Sequence, residues 1–240
     1  MTLTSVLFLA VSGISFFLSA SAGLGGSLIL VPALALLVGP KQGIALASVL
    51  LAANNFAKVA AYRKTIPWRQ SAGVVILLAI GAAMGAWLLV AVAERWVYAA
   101  VLVAFSTTFL LERMNLSLLE RLGASLLALV GGLSSGFSGT SGPMKGLALR
   151  ALRLNRFYFL GAASLVSLVG DVAKATVFTA QSLINSQTWP LLLATLPLMV
   201  LGTALGYVFN TRVNERVFGV IFWGVMAGYA TRLVSWFAAP

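Results

Sequence analysis

The sequence predicts an all-α polytopic membrane protein made of two inverted-topology repeats. Each repeat has about five segments, including a broken or re-entrant helix pair. Three observations predict it. First, 60% of the 240 residues are hydrophobic and 9% are charged, and the mean hydropathy is +1.01. Too few polar residues remain to coat a core of that size, so lipid must be the solvent. Second, similar residues recur at a fixed offset. Lys174 stands 116 residues after Lys58 (174 − 58 = 116), and the same step carries Asn55 to Asp171, Ser48 to Ser164 and Gly26 to Gly142. Further on, "AERWV" answers "NERVF", with Glu215 at 121 after Glu94 (215 − 94 = 121), and the difference falls in the polar loop Gln181–Thr188. Third, the basic residues are unevenly divided between the two sets of loops.

The elements follow in order. A helix needs about 20 apolar residues to cross the hydrocarbon. Six segments meet that length: Lys41–Tyr62, Gln70–Val92, Arg95–Leu111, Arg156–Ala180, Trp189–Asn210 and Glu215–Trp236. Four further pieces form two pairs, Leu3–Ala20 with Gly25–Val38 and Leu122–Phe137 with Gly142–Leu152, and the second piece of each is short for a span. The halves are residues 1–111 and 112–240. An odd number of segments per half turns the second half upside down. The N-terminal apolar run lacks the positive region of a signal peptide and reads as the first membrane segment.

The charges provide an independent test. With the N-terminus on side A, side B receives Arg63, Lys64, Arg69, Arg113, Arg121, Arg150, Arg153, Arg156, Arg212 and Arg216, and side A receives Lys41, Arg95 and Arg232. Basic loops face the cytoplasm, so side B is inside and both termini are periplasmic. The expected location is a bacterial inner membrane, crossed many times. Trp68, Trp96, Trp189 and Trp236 fall near the interfaces and read as anchors.

The breaks carry the functional signal. "SASAGLGGSLILVPALALL" and "GFSGTSGPMKGLALRAL" interrupt apolar runs at matching places in the two halves. Interrupted segments in corresponding positions point to a transporter's binding site. A half-helix starting inside the membrane offers unpaired N–H groups and a positive dipole end to an anion. Gly25, Gly26 and Ser27 in the first break, and Ser141 and Gly142 in the second, are therefore candidate substrate-binding residues. Pro143 suits a first helical turn.

Lys58 and Lys174 lie within apolar helices, where a lysine costs about 2.5–3.5 kcal/mol. Snorkelling to the nearby interface is the plain alternative. Their equivalence in the repeat favours a site, and each shares a face with a polar residue three positions earlier, Asn55 or Asp171. Asp171 is either an ion-pair partner for one of these lysines or a proton carrier. Asn54 and Asn55 serve either the substrate or helix–helix hydrogen bonding. Lys145 belongs either to the site or, slightly favoured, to the basic loop with Arg150 and Arg153. Small-residue stretches such as "GAAMGAW" and "LGTALGY" read as packing faces.

The chain contains no Cys and no His, which removes disulfides, imidazole bases and common metal ligands; no cofactor, metal or nucleic acid is expected. "GFSG" at Gly136–Gly139 has the form of an intramembrane serine-protease motif, but no histidine is available to take the serine proton, so no enzyme is expected.

On the two glycine-rich breaks, the length and the two-fold repeat, the chain resembles the sulfite exporter TauE/SafE family, also called the toluene sulfonate uptake permease family. "AGLGGSLILVPAL" is close to the family pattern of glycines, an apolar stretch and a proline. "SGFSGTSGPMKGLAL" departs from it, because Pro143 precedes the helix and Ala148 stands at the position of Pro32. The resemblance implies transport of a small sulfur-containing anion such as sulfite, sulfoacetate or another sulfonate, with export as the first reading. Uptake of such anions and a passive anion channel are the alternatives. Proton coupling, an oligomer, the exact substrate and the depth of the short segments are left open.

Overall fold

The structure, a computed structural model, describes residues 3–22, 27–111, 123–141, 143–208 and 215–238. The expected break glycines Gly25, Gly26 and Gly142 lie outside the described residues, as do Arg113, Arg121 and Arg212. The described residues form ten α-helices, with no strand among them. These are α1 (Leu3–Ala22), α2 (Ser27–Val38), α3 (Pro40–Tyr62), α4 (Trp68–Ala91), α5 (Glu94–Leu111), α6 (Ala124–Ser138), α7 (Met144–Arg150), α8 (Arg156–Ala180), α9 (Trp189–Val208) and α10 (Glu215–Ala238). A single 3₁₀ turn, Arg63–Thr65, follows α3.

Four of the six expected long segments, in α3, α4, α8 and α9, are long and apolar enough to cross a membrane. The other two are helices α5 and α10. Their surroundings fit a lipid solvent. Helix α4 exposes Ile76, Ile80, Met84 and Trp87, three to four residues apart and therefore on one face. In water such a stripe would be an association hazard; in hydrocarbon it is the matched surface.

Local chemistry sets the helix ends. Gly39 alone separates α2 from α3, with φ 94°, and Pro40 supplies the first helical turn. The resulting tight hairpin needs a bare backbone at Gly43, where an added Cβ would collide with the Ala35 backbone. At the start of α8, the Asn155 side chain accepts a hydrogen bond from the Tyr158 N–H at 3.1 Å. The sequence reading carried the seventh helix to Leu152. It stops at Arg150, because residues 151–153 turn and Arg153 takes φ 52°. Positive φ is rare for arginine, and no glycine marks the stop in the sequence.

Packing pairs the helices across the two halves: α4 lies on α6, α1 on α9 and α3 on α8. The α4–α6 contact is a glycine interface. An added Cβ on Gly81 would meet the Leu129 carbonyl, on Gly85 the Leu133 carbonyl, on Gly132 the Leu78 carbonyl and on Gly136 the Ala82 carbonyl. Across α1 and α9, an added Cβ on Gly202 would stand 2.6 Å from the Gly13 carbonyl oxygen. Small residues let backbones approach, which is how helices gain dispersion energy in lipid.

Two apolar cores follow. The larger joins α1, α2, α3, α5, α9 and α10 through Phe8, Leu30, Leu46, Phe105, Met199 and Tyr229 among others. The smaller joins α4, α6, α7 and α8 through Leu78, Leu127, Leu147 and Val166. Intramembrane hydroxyls mostly turn back on their own helices, as Ser164 does to the Leu160 carbonyl at 2.8 Å and Thr195 to the Leu191 carbonyl at 2.7 Å.

Candidate functional site

Helices α3 and α8 carry the polar residues that apolar helices would ordinarily avoid, and they face one another. The Asn55 Nδ2 donates to Asp171 Oδ2 at 2.8 Å. Lys174 Nζ pairs with Asp171 Oδ1 at 2.8 Å, one turn along α8. It also donates to Ser135 Oγ of α6 at 3.1 Å. Asp171 is 7% exposed and Lys174 1%, so this charge pair is removed from solvent. Both aspartate oxygens have donors, as a buried carboxylate requires. Of the readings weighed for Asp171, the ion-pair geometry is the one present, with Lys174 as partner.

Beside this network lies a cavity of about 90 Å³. That is several times the roughly 10–15 Å³ one water needs, and small for an organic ligand. Its wall takes Asn54, Asn55 and Lys58 from α3 and Asp171 and Lys174 from α8. Ser27 reaches it from the first break, and Gly139 and Ser141 from the second. Thus every described residue among the sequence-derived candidates lines one cavity. Asn54 is buried and, among the described residues, makes no side-chain hydrogen bond. Lys58 is half-buried at the wall rather than extended to the surface.

The structure adds residues to the candidate set, one that the sequence reading had left between two roles and two that it missed. Lys145 lines the cavity and donates to Ser167 Oγ at 2.9 Å, so it joins the site and not the loop basic cluster. The short α7 puts it one residue past the helix start, facing α8. Ser135 and Ser167 also line the wall. Nothing in their sequence neighbourhoods separates them from packing serines. Three lysines therefore face a single aspartate across this cavity, and it is electropositive.

The second break is held by its own hydroxyls. Ser134 Oγ donates to the Thr140 carbonyl at 2.8 Å, across the point where α6 ends. Gly139 caps α6 with φ 86°, and an added Cβ there would stand 2.5 Å from Val31 of α2. The second break thereby leans directly on the helix that follows the first. The seven-residue α7 is shorter than the half-helix expected, so its dipole is weaker than a full helix would give.

No metal-ligand cluster occurs among the described residues. What the cavity offers is fixed positive charge and hydrogen-bond donors, the chemistry of holding a small anion. No curated protein and no solved structure is significantly similar to the chain. A family comparison gives a match to sulfite exporter TauE/SafE over residues 7–233. With almost its whole length matched, the chain belongs to the sulfite exporter TauE/SafE family and is a multi-pass membrane transporter of sulfur-containing anions.

Proposed function

We propose that the protein exports a small sulfur-containing oxyanion, sulfite or a short sulfonate such as sulfoacetate, through the cavity between α3 and α8. The observation that carries this is the cavity between α3 and α8, with three lysines and one aspartate on its wall. An oxyanion entering a membrane interior loses a large hydration energy. Half-helix dipoles supply about half a charge each, which is too little alone. The lysines on the cavity wall, which outnumber its one aspartate, supply the rest. The small volume favours sulfite or a short-tailed sulfonate over a bulky one. Export of an anion from a cell that is negative inside runs with the membrane potential, worth about 2.3 kcal/mol per charge per 100 mV.

The site residues in this reading are Ser27, Asn54, Asn55, Lys58, Ser141, Asp171 and Lys174, with Lys145 added, and Gly25, Gly26 and Gly142 as backbone of the breaks. Lys58 and Asn54 are the groups least committed to other protein atoms. Lys58→Met is expected to weaken sulfite binding about tenfold or more with little loss of stability. A charge about 4 Å from an anion is worth roughly 4 kcal/mol at an effective dielectric of 20, before desolvation. Purified protein in detergent would be titrated with sulfite, sulfoacetate, taurine, sulfate and acetate and read by thermal shift. Equal affinity of the variant and parent for every anion would remove Lys58 from the site.

The two halves, residues 1–111 and 112–240, are read as inverted repeats. The pairing of helices supports this: α1 on α9 and α4 on α6 exchange under a two-fold that carries α1 to α6 and α4 to α9. Asn55 and Asp171, counterparts in the repeat, touch each other, as residues beside such an axis would. The basic stretches 63–69 and 150–156 also fall at one end, where an added Cβ on Gly161 of α8 would meet the Thr65 carbonyl after α3. That end is assigned to the cytoplasm of a bacterial inner membrane. Lys64→Cys, in a chain with no native cysteine, is expected to resist an impermeant thiol reagent in intact cells and to label after permeabilisation. Strong labelling without permeabilisation would reverse the orientation.

A further inference from the structure

A second cavity lies away from the α3–α8 site, where α4 and α8 both begin. It is an open depression of about 750 Å³, lined by Trp68, Arg69, Gln70, Arg153, Asn155 and Tyr158, among others. Its two arginines come from segments far apart in sequence, Arg69 from the first turn of α4 and Arg153 from the loop before α8. Arg153 holds φ 52°, an unfavourable conformation for a side chain with a Cβ, and it is at this residue that the chain turns from α7 toward α8. Arg63 and Lys64 stand just before α4, Arg150 ends α7 and Arg156 begins α8, and neither stretch, 62–70 or 150–158, contains an aspartate or glutamate. Orientation alone would need basic loops, but it would not need their arginines to line a shared concave wall.

The position indicates which anion would reach it. Both helices starting here are long and apolar enough to span the bilayer, so their first residues stand at headgroup level. Trp68, Phe157 and Tyr158 are exposed around the opening, in the manner of aromatic side chains that sit between headgroups and hydrocarbon. Guanidinium groups bind phosphate oxygens in pairs. We propose that this cavity binds the phosphate of an anionic phospholipid, with Arg69 and Arg153 on the phosphate and Trp68 and Tyr158 beside the glycerol and upper acyl region. Asn155 and Gln70 add polar groups for the rest of the headgroup. This site is separate from the transported anion and does not rest on its identity.

The test is native mass spectrometry of the full chain, titrated in detergent with phosphatidylglycerol, phosphatidylcholine or inorganic phosphate. The parent is expected to keep a phosphatidylglycerol adduct that phosphatidylcholine does not match, and to show no saturable effect of millimolar phosphate. Arg69→Gln and Arg153→Gln should each weaken the adduct about tenfold or more, and the pair more, because each removes a charge-assisted hydrogen-bond partner of the phosphate. Arg153→Gly removes the guanidinium while easing the positive φ, so it tests the charge with the turn preserved. Arg63→Gln with Lys64→Gln removes two charges from the same end but outside the cavity, and should leave the adduct unchanged. Equal weakening by that control pair, or full retention in Arg69→Gln and Arg153→Gly, would overturn the site. Saturable binding of inorganic phosphate at the same arginines would overturn the lipid as its ligand.

Discussion

Lys174→Met is expected to destabilise the protein by about 3–5 kcal/mol, the range seen when one member of a buried ion pair is removed. The aspartate left behind would keep only the Asn55 donor, and Ser135 would lose its lysine. Cavity charge would fall as well, from two net positive to one, so anion binding should weaken in whatever fraction remains folded. The double variant Lys174→Met with Asp171→Asn separates these effects. It removes both buried charges, keeps two similar volumes and returns the formal charge on the cavity wall to two, from Lys58 and Lys145. Its stability is expected to return to within about 1–2 kcal/mol of the parent, because neutral replacement of a buried pair costs little. Thermal unfolding and sulfite affinity of the parent, single and double variants give the comparison. A double variant as unstable as the single one would show that the fold depends on Lys174 itself and not on charge balance.

Gly136→Leu is expected to leave almost no monodisperse protein. A Cβ at this position would overlap the Ala82 carbonyl and stand 2.5 Å from the Ala86 nitrogen, and backbone cannot rotate aside as a side chain can. Intrinsic propensity points the other way, since removing a glycine from a helix interior favours the helix by about 1 kcal/mol. Steric cost decides the sign. Overpacking costs about 1–3 kcal/mol even for small additions, and a leucine here would separate α4 from α6 along their length. Gly136→Ala should therefore fall in that lower range, and Gly85→Leu should resemble Gly136→Leu. Gly73→Leu is the control, because an added Cβ there meets nothing within 4 Å. Size-exclusion profiles of the four variants test the ordering. Normal profiles for Gly136→Leu and Gly85→Leu would mean the two helices do not approach as described.

The sequence made the helices visible because lipid imposes long apolar runs, and the breaks visible because glycine and proline interrupt them. It also exposed the α3–α8 network. Lys58, Lys174, Asn55 and Asp171 stand out because ionisable and amide groups are costly in apolar segments, and their common offset links them. Lys145 was less legible. It lies in a short helix beside basic residues, and its bond to Ser167 depends on how that helix sits against α8. Ser135 and Ser167 could not be separated by composition, since serine packs between helices as readily as it lines a cavity. The glycines of "GAAMGAW" were legible as a packing face, but their partner was not. Which face meets which depends on three-dimensional proximity between α4 and α6, and neither stretch encodes its partner's address.

The hydrogen bond between Asn55 and Asp171 has a consequence for the number of polypeptides that could build this site. In the two-repeat reading these residues are each other's counterparts. An assembly of two identical subunits would have to place the same residue at both positions. It could present two carboxylates to each other, which repel, or two amides, which carry no charge. Either way the number of carboxyl groups at that point is even. Joining both halves in one polypeptide permits an odd number. One carboxylate can then hold one ammonium and one amide. A covalent connection between the halves thus makes available a lone carboxylate, which two identical chains could not supply.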